Sequence, residues 1–183
     1  MADLNHLGGH GNKTHLDEGL VQWVIDVFDP KTALDIGCGP GGMVELIASR
    51  GISIEGIDGD PTVNPNILVD FTKNEYYKQV DWGYSCEFVE HVEAKYMRNY
   101  MKTFSGCNFV TMTFAPPFTP GYHHVNCQSA HYWIDTFSKF DFTYSKELTD
   151  QMRAASTMQR DFVRKNGLCF VKTSLMQRYL LSD

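Results

Sequence analysis

Long hydrophobic runs are missing from this chain of 183 residues, and with them any stretch of roughly 20 apolar residues able to cross a membrane. The opening residues, Met-Ala-Asp-Leu-Asn-His, lack the basic and apolar regions of a secretory signal, so a cytoplasmic setting is expected. Paired cysteines are also missing. The five at 38, 86, 107, 127 and 169 show no CxxC spacing, which disfavours a zinc site or a disulfide framework and favours reduced thiols. Positive charge is scarce: 16 Lys and Arg against 22 Asp and Glu leave a net charge of −6. That balance argues against general adhesion to nucleic acid or anionic membranes. With no internal repeat and no low-complexity tract, the length fits one domain with a proper core.

What is abundant is local. The stretch Ala33-Leu34-Asp35-Ile36-Gly37-Cys38-Gly39-Pro40-Gly41-Gly42 reads as a buried strand, a glycine turn and the start of a helix over Met43 to Arg50. Pro40 suits a first helical turn, where a missing N–H leaves no bond unmade. Gly37, Gly39 and Gly42 satisfy the dinucleotide pattern GxGxxG, in which glycines let the backbone approach a ligand closely. Asp35 redirects that reading. A carboxylate two residues before the first glycine repels a pyrophosphate, but it attracts the ammonium and sulfonium groups of S-adenosylmethionine.

Asp-Ile-Gly-Cys-Gly-Pro-Gly closely resembles the nucleotide-binding signature of class I S-adenosylmethionine-dependent methyltransferases. The resemblance implies that Asp35, Gly37, Gly39 and Gly41 cradle S-adenosylmethionine and its product S-adenosylhomocysteine. Asp58, 21 residues after Gly37, has the spacing of an acid that meets the ribose hydroxyls, with Asp60 in reserve. Asp70 is expected at the adenine amino group.

Read in order, residues 1–13 have no period. Thr14 or Asp17 caps a helix that runs to near Pro30. Residues 1–30 thus form an arm and helix, a candidate lid over the cofactor that includes His10, His15 and Asp17, and residues 31–183 form the methyltransferase domain. Strands are expected at 33–36, 52–57, 67–69, 81–88, 108–114, 140–144 and 168–172. Helices are expected after the fourth strand, around 130–137 and at 149–165. This alternation implies an α/β fold with helices on both faces of a mostly parallel sheet. The resemblance adds the Rossmann-like seven-stranded order 3-2-1-4-5-7-6, with the seventh strand antiparallel.

Glu87, Glu90 and His91 fall at the carboxyl end of the fourth strand, where ligands bind in open sheets. On a helix they would share one face, and carboxylates with imidazole suit Mn, Fe, Co or Zn better than calcium. His123 or His124, in the loop after the fifth strand, is a candidate fourth ligand, with His124 preferred. The pattern Glu-x-x-Glu-His with a later His resembles metal-assisted O-methyltransferases of two kinds, those of ubiquinone biosynthesis and those that methylate the 2′-hydroxyl of small RNAs. Without metal, His91 or His124 is the candidate acid–base catalyst. An acceptor hydroxyl needs one or the other, because an alcohol is a poor nucleophile at neutral pH.

Phe114, Phe118, Tyr122, Tyr132 and Trp133 are candidate walls for a planar acceptor. Ala115-Pro116-Pro117-Phe118 resembles the motif of methyltransferases acting on base amino groups, but alanine lacks the acceptor that orients such a group. Arg153, Arg160 and Arg164, at helical spacing, form a solvated face or a polyanion contact. The expected acceptor is therefore a hydroxyl on a small molecule, with no membrane partner. The alternatives are nucleic-acid methylation and a non-catalytic cofactor-binding subunit.

Overall fold

The computed structural model describes residues 6, 7 and 9–180. Seven strands, β1 (Thr32–Ile36), β2 (Ser53–Asp58), β3 (Ile67–Leu68), β4 (Val80–Ser85), β5 (Cys107–Met112), β6 (Phe142–Tyr144) and β7 (Leu168–Lys172), form one sheet. Their order is β3-β2-β1-β4-β5-β7-β6, as expected. Neighbours pair in parallel except along β7, which runs against both β5 and β6.

The strands are apolar on both faces because both are covered. Successive side chains alternate, so Val110 and Met112 of β5 and Leu168 and Phe170 of β7 enter one core layer. Phe109, Cys169 and Val171 enter the other. The helices α3 (Met97–Phe104) and α4 (Ala130–Ser138) cover the first layer, with Tyr100, Phe104, Trp133 and Phe137 buried. The second lies under α1 (Glu18–Phe28), α2 (Gly42–Ser49), α5 (Lys146–Ala155) and α6 (Phe162–Asn166). A short α7 (Met176–Leu180) follows β7. Each such large side chain, fully buried, stabilises the fold by about 1.5–3 kcal/mol.

Asp17 joins the ends of the chain. Its carboxyl caps α1 through Leu20 N at 3.0 Å and accepts from Ser156 Oγ at 2.5 Å and Thr157 N at 2.8 Å. It is a buried structural tie and not a lid residue.

Three expected elements differ. β4 stops at Ser85, because Glu87 takes a left-handed φ of 51° that ends strand pairing. Two 3-10 turns, Val89–His91 and Ala94–Tyr96, replace the first part of the expected helix. The helix expected at 149–165 is two helices, α5 and α6, parted where Ser156 and Thr157 turn their donors to Asp17. The arginine face is lost with it. Arg160 sits in the link, Arg153 donates to Gly167 O, and Arg164 binds Met158 O and Asp161.

Candidate active site

A cavity of about 490 Å³ opens at the carboxyl edge of β1, β2 and β4, a volume in the range of small-molecule sites. The sheet order reverses between β1 and β4, and such a switch point leaves a crevice between strand ends. Gly37, Gly39 and Gly41 have φ of 80°, 50° and 83°, which side chains other than glycine's seldom adopt. A Cβ on Gly37 would lie 2.7 Å from the Phe88 Cβ, so this glycine serves packing as well as the turn.

The arm from residue 6 to 15 crosses this turn. Thr14 Oγ1 accepts from Gly42 N at 3.1 Å and supplies the side-chain cap that Gly41 cannot give to α2. His10 approaches Asp60 at 3.3 Å, and His6 approaches Asp70 at 3.1 Å. His10 therefore lines the cavity.

The acidic residues behave differently from one another. Asp35 is 2% exposed, lines the cavity, and meets no hydrogen-bond donor among the described residues. Burial first, and then the charge of Asp58, push its carboxyl up to about 8. Asp58 accepts from Gly39 N at 2.8 Å and from Asp60 N at 2.9 Å, so it fixes the glycine turn and still borders the cavity. Asp70 is more fully engaged, with Thr72, Lys73 and His6 all bonded to it. Burial opposes its charge, yet the bonds from Lys73, Thr72 and His6 hold it down at about 2. An adenine amino group would have to compete with those donors.

At the end of β4 the expected quartet divides. One ligand atom from each of Glu90, His91 and His124 lies within 4.8 Å of the others. Glu87 stands outside this trio, because its turn directs it to Thr113. Its N–H donates to Thr113 Oγ1 at 2.8 Å, and that hydroxyl donates to Glu87 Oε1 at 2.9 Å. The two bonds offset part of a left-handed backbone cost of roughly 1–2 kcal/mol. His123 is also outside the trio and packs edge-on to His6. The choice between the two histidines comes from the loop backbone: Val125 N and Asn126 N donate to Glu90 O at 2.9 and 3.0 Å, which brings His124 against His91 at 5.0 Å between ring centroids.

Glu90 is 0% exposed, and neither carboxyl oxygen has a hydrogen-bond partner; His91 Nδ1 is equally alone. Burial, followed by the charge of Glu87, pushes Glu90 well up. Burial and then His124 hold His91 down at about 4, so its ring is neutral at pH 7. His124 Nδ1 lies 3.0 Å from Thr119 O. A carbonyl only accepts, so Nδ1 carries the proton and Nε2 keeps its lone pair. Buried polar atoms seldom remain unpaired, and this set of one carboxylate and two imidazoles fits a divalent cation with coordination positions left open.

Of the five aromatic candidates for an acceptor wall, Tyr122 lines the cavity. Phe114 and Trp133 are core, Tyr132 packs against it, and Phe118 points into solvent at full exposure. His131 is an exposed residue of α4 beside Asp135. Sequence reasoning offered Thr14 as a cap of α1, whereas it caps α2, and missed Thr113 and the cavity-facing Lys13 and Phe162; hydroxyls and cations without a motif carry no signal of their own.

No protein-family model and no curated protein matches this sequence. Solved structures do match. The methyltransferase domain of bacterial CtHen1 is 13% identical over 84% of this chain and 95% of that one, with a TM-score of 0.57. Magnesium protoporphyrin IX methyltransferase from Synechocystis PCC 6803, with bound SAM, is 14% identical over 84% and 76%, with a TM-score of 0.59. The plantazolicin methyltransferase BpumL in complex with SAH is 14% identical over 85% and 81%, with a TM-score of 0.57. The chain has the class I methyltransferase fold. Among the described residues no helix is long and apolar enough to cross a membrane.

Proposed function

We propose that this protein is a cytoplasmic methyltransferase that uses S-adenosylmethionine to methylate a hydroxyl on a small acceptor. Asp35 carries the reading: it is a buried carboxyl with no protein donor, turned into a cavity beside three left-handed glycines. Such a group is costly unless a cation meets it, and the ammonium of the cofactor's amino-acid end is that cation. The glycine turn lets the cofactor approach the backbone, while Asp58 borders the place for its ribose. S-adenosylhomocysteine would leave as the product.

Glu90, His91 and His124 are the residues that would hold a divalent cation. The chemistry a bound cation supplies is a lowered pKa for a coordinated hydroxyl. The protein's own part is positioning and proton transfer. His91, neutral and buried, orients within the trio, and without a cation the His124 Nε2 lone pair would instead take the proton lost by the acceptor hydroxyl. The cofactor carries the difficult bond chemistry, and the protein aligns donor and acceptor. The divided arginines at 153, 160 and 164 remove the helical face on which a long polyanion reading rested.

Calorimetry with S-adenosylmethionine and S-adenosylhomocysteine tests the cofactor, with NAD as the control. Methyl transfer to catechol-type and sugar hydroxyls, measured with and without Mg, Mn, Fe, Co or Zn, tests the acceptor and the cation. Binding of NAD with no response to either sulfur ligand would reject the reading. Transfer that ignores chelators would leave His124 as the base and remove the cation.

A further inference from the structure

We propose that Lys13, His15 and Arg160 form an anion seat at the mouth of the cavity, and that it binds a carboxylate or phosphate carried by the methyl acceptor. The inference rests on the methyltransferase reading and adds the chemical class of the acceptor.

The topology makes the seat. Because β7 is antiparallel to β5, with Leu168 opposite Met112, the segment leading into β7 lies at the same sheet edge as the trio. The link between α5 and α6 therefore delivers Arg160 and Phe162 to the cavity wall. The arm meets them there: the His15 ring stands edge-on to Phe162 at 5.6 Å, and the Arg160 guanidinium lies over the same ring at 5.5 Å. Lys13 lines the wall beside them.

These cations differ from the others in their neighbourhood. Arg164 and Lys165 pair with Asp161, and Arg153 donates to Gly167 O. Among the described residues, no carboxylate or carbonyl meets the Lys13 ammonium or the Arg160 guanidinium. In a chain of net charge −6, unpaired cations collected at one cavity mouth repel each other until an anion joins them. The effect registers on His15, which burial, then Lys13 and Arg160, hold below its ordinary value. A guanidinium offers a planar fork matched to the two oxygens of a carboxylate or phosphate.

The cofactor also has a carboxylate, so the seat must be placed relative to it. Asp35, at the proposed ammonium position, lies in β1, on one side of β4. Arg160 stands in the segment before β7, next to β5 and the loop that carries His124, on the other side of β4. The seat therefore lies toward the acceptor.

The test uses the full chain saturated with S-adenosylhomocysteine and titrated with benzoate, phenyl phosphate and benzyl alcohol. One anionic probe should bind at least about tenfold more tightly than the alcohol, and the stronger of the two identifies carboxylate or phosphate. Replacing Lys13→Gln and Arg160→Gln together should abolish the preference, with S-adenosylhomocysteine affinity within about twofold of wild type. Arg160→Lys, which keeps the charge without the fork, should retain part of it, and circular dichroism checks that each variant is folded. Three results would overturn the seat: equal binding of all probes or of none, a double variant that loses cofactor affinity instead, or affinity that grows with phosphate number along an oligoribonucleotide. If wild type fails to bind S-adenosylhomocysteine, the methyltransferase reading falls, and the same titrations without it still judge the seat.

Discussion

Asp35→Asn separates what the cavity does for the fold from what it does for the cofactor. The carboxyl moves from 3.8 to about 8 on folding, through burial and then Asp58. A raised carboxyl binds its proton more tightly in the folded state. Its stabilising effect is complete below pH 3.8 and is lost as pH rises to about 8. The ceiling on that loss is about 6 kcal/mol at 1.36 kcal/mol per pH unit. Because Asp35 lines an open cavity, the effective loss is smaller, roughly 1–3 kcal/mol. Wild type and the asparagine variant should therefore unfold alike in denaturant at pH 4, with the variant more stable at pH 8.5. Its affinity for S-adenosylmethionine should fall by about 10- to 100-fold, the loss of one charge-assisted contact. Binding to wild type at pH 7 should release close to one proton, read as a dependence of calorimetric heat on buffer ionisation. Unchanged affinity, or a variant less stable than wild type at pH 8.5, would refute the assignment.

Further outcomes follow from other residues. Glu90→Gln should abolish binding of Mn or Zn measured by calorimetry, and in wild type that binding should release protons, because burial and Glu87 favour the protonated form of Glu90 and a cation favours the ionised one. Asp17→Ala should cost about 3–5 kcal/mol in urea unfolding, since a buried tie is cut and Leu20 N, Ser156 Oγ and Thr157 N lose their acceptor. Gly37→Val should lower S-adenosylhomocysteine affinity by about tenfold or more and reduce thermal stability, because φ is 80° and a Cβ there meets Phe88. Asp70→Asn should cost about 1–2 kcal/mol at pH 7, a difference that fades as pH falls from 3.8 through about 2.

The parts of the fold legible in the sequence were those with local causes. Apolar runs bounded by glycine, proline or aspartate located every strand, and of the two expected cap residues, Thr14 and Asp17, Asp17 caps α1. The parts that were not legible had distant causes. The break between α5 and α6 answers to Asp17, 139 and 140 residues away, and no window of sequence contains both partners. The end of β4 answers to Thr113, across the sheet. The same turn explains why the Glu-x-x-Glu-His pattern, read as a helix face, yields a trio with Glu87 outside it. His123 and His124 are equivalent as letters; backbone bonds to Glu90 O separate them.

Strand order also arranges charge along the cavity in the sequence that the proposed reaction needs. The donor enters as a sulfonium and leaves as a neutral sulfide, so acids should stand at its binding end, and a proton acceptor should stand where the methyl arrives. The carboxyl ends of β1, β2 and β3 present Asp35, Asp58 and Asp70 on one side of the switch point. The ends of β4 and β5 present His91 and His124 on the other, and the segment before β7 adds Arg160 beyond them. Acid, imidazole and cation thus follow the order in which strands pair, although the chain supplies them from places as far apart as Asp35 and Arg160. A permuted sheet with the same residues would mix these charges. The topology is therefore part of the electrostatics, and the arm reaches both ends, with His10 at Asp60 and His15 against the Phe162 ring that Arg160 covers.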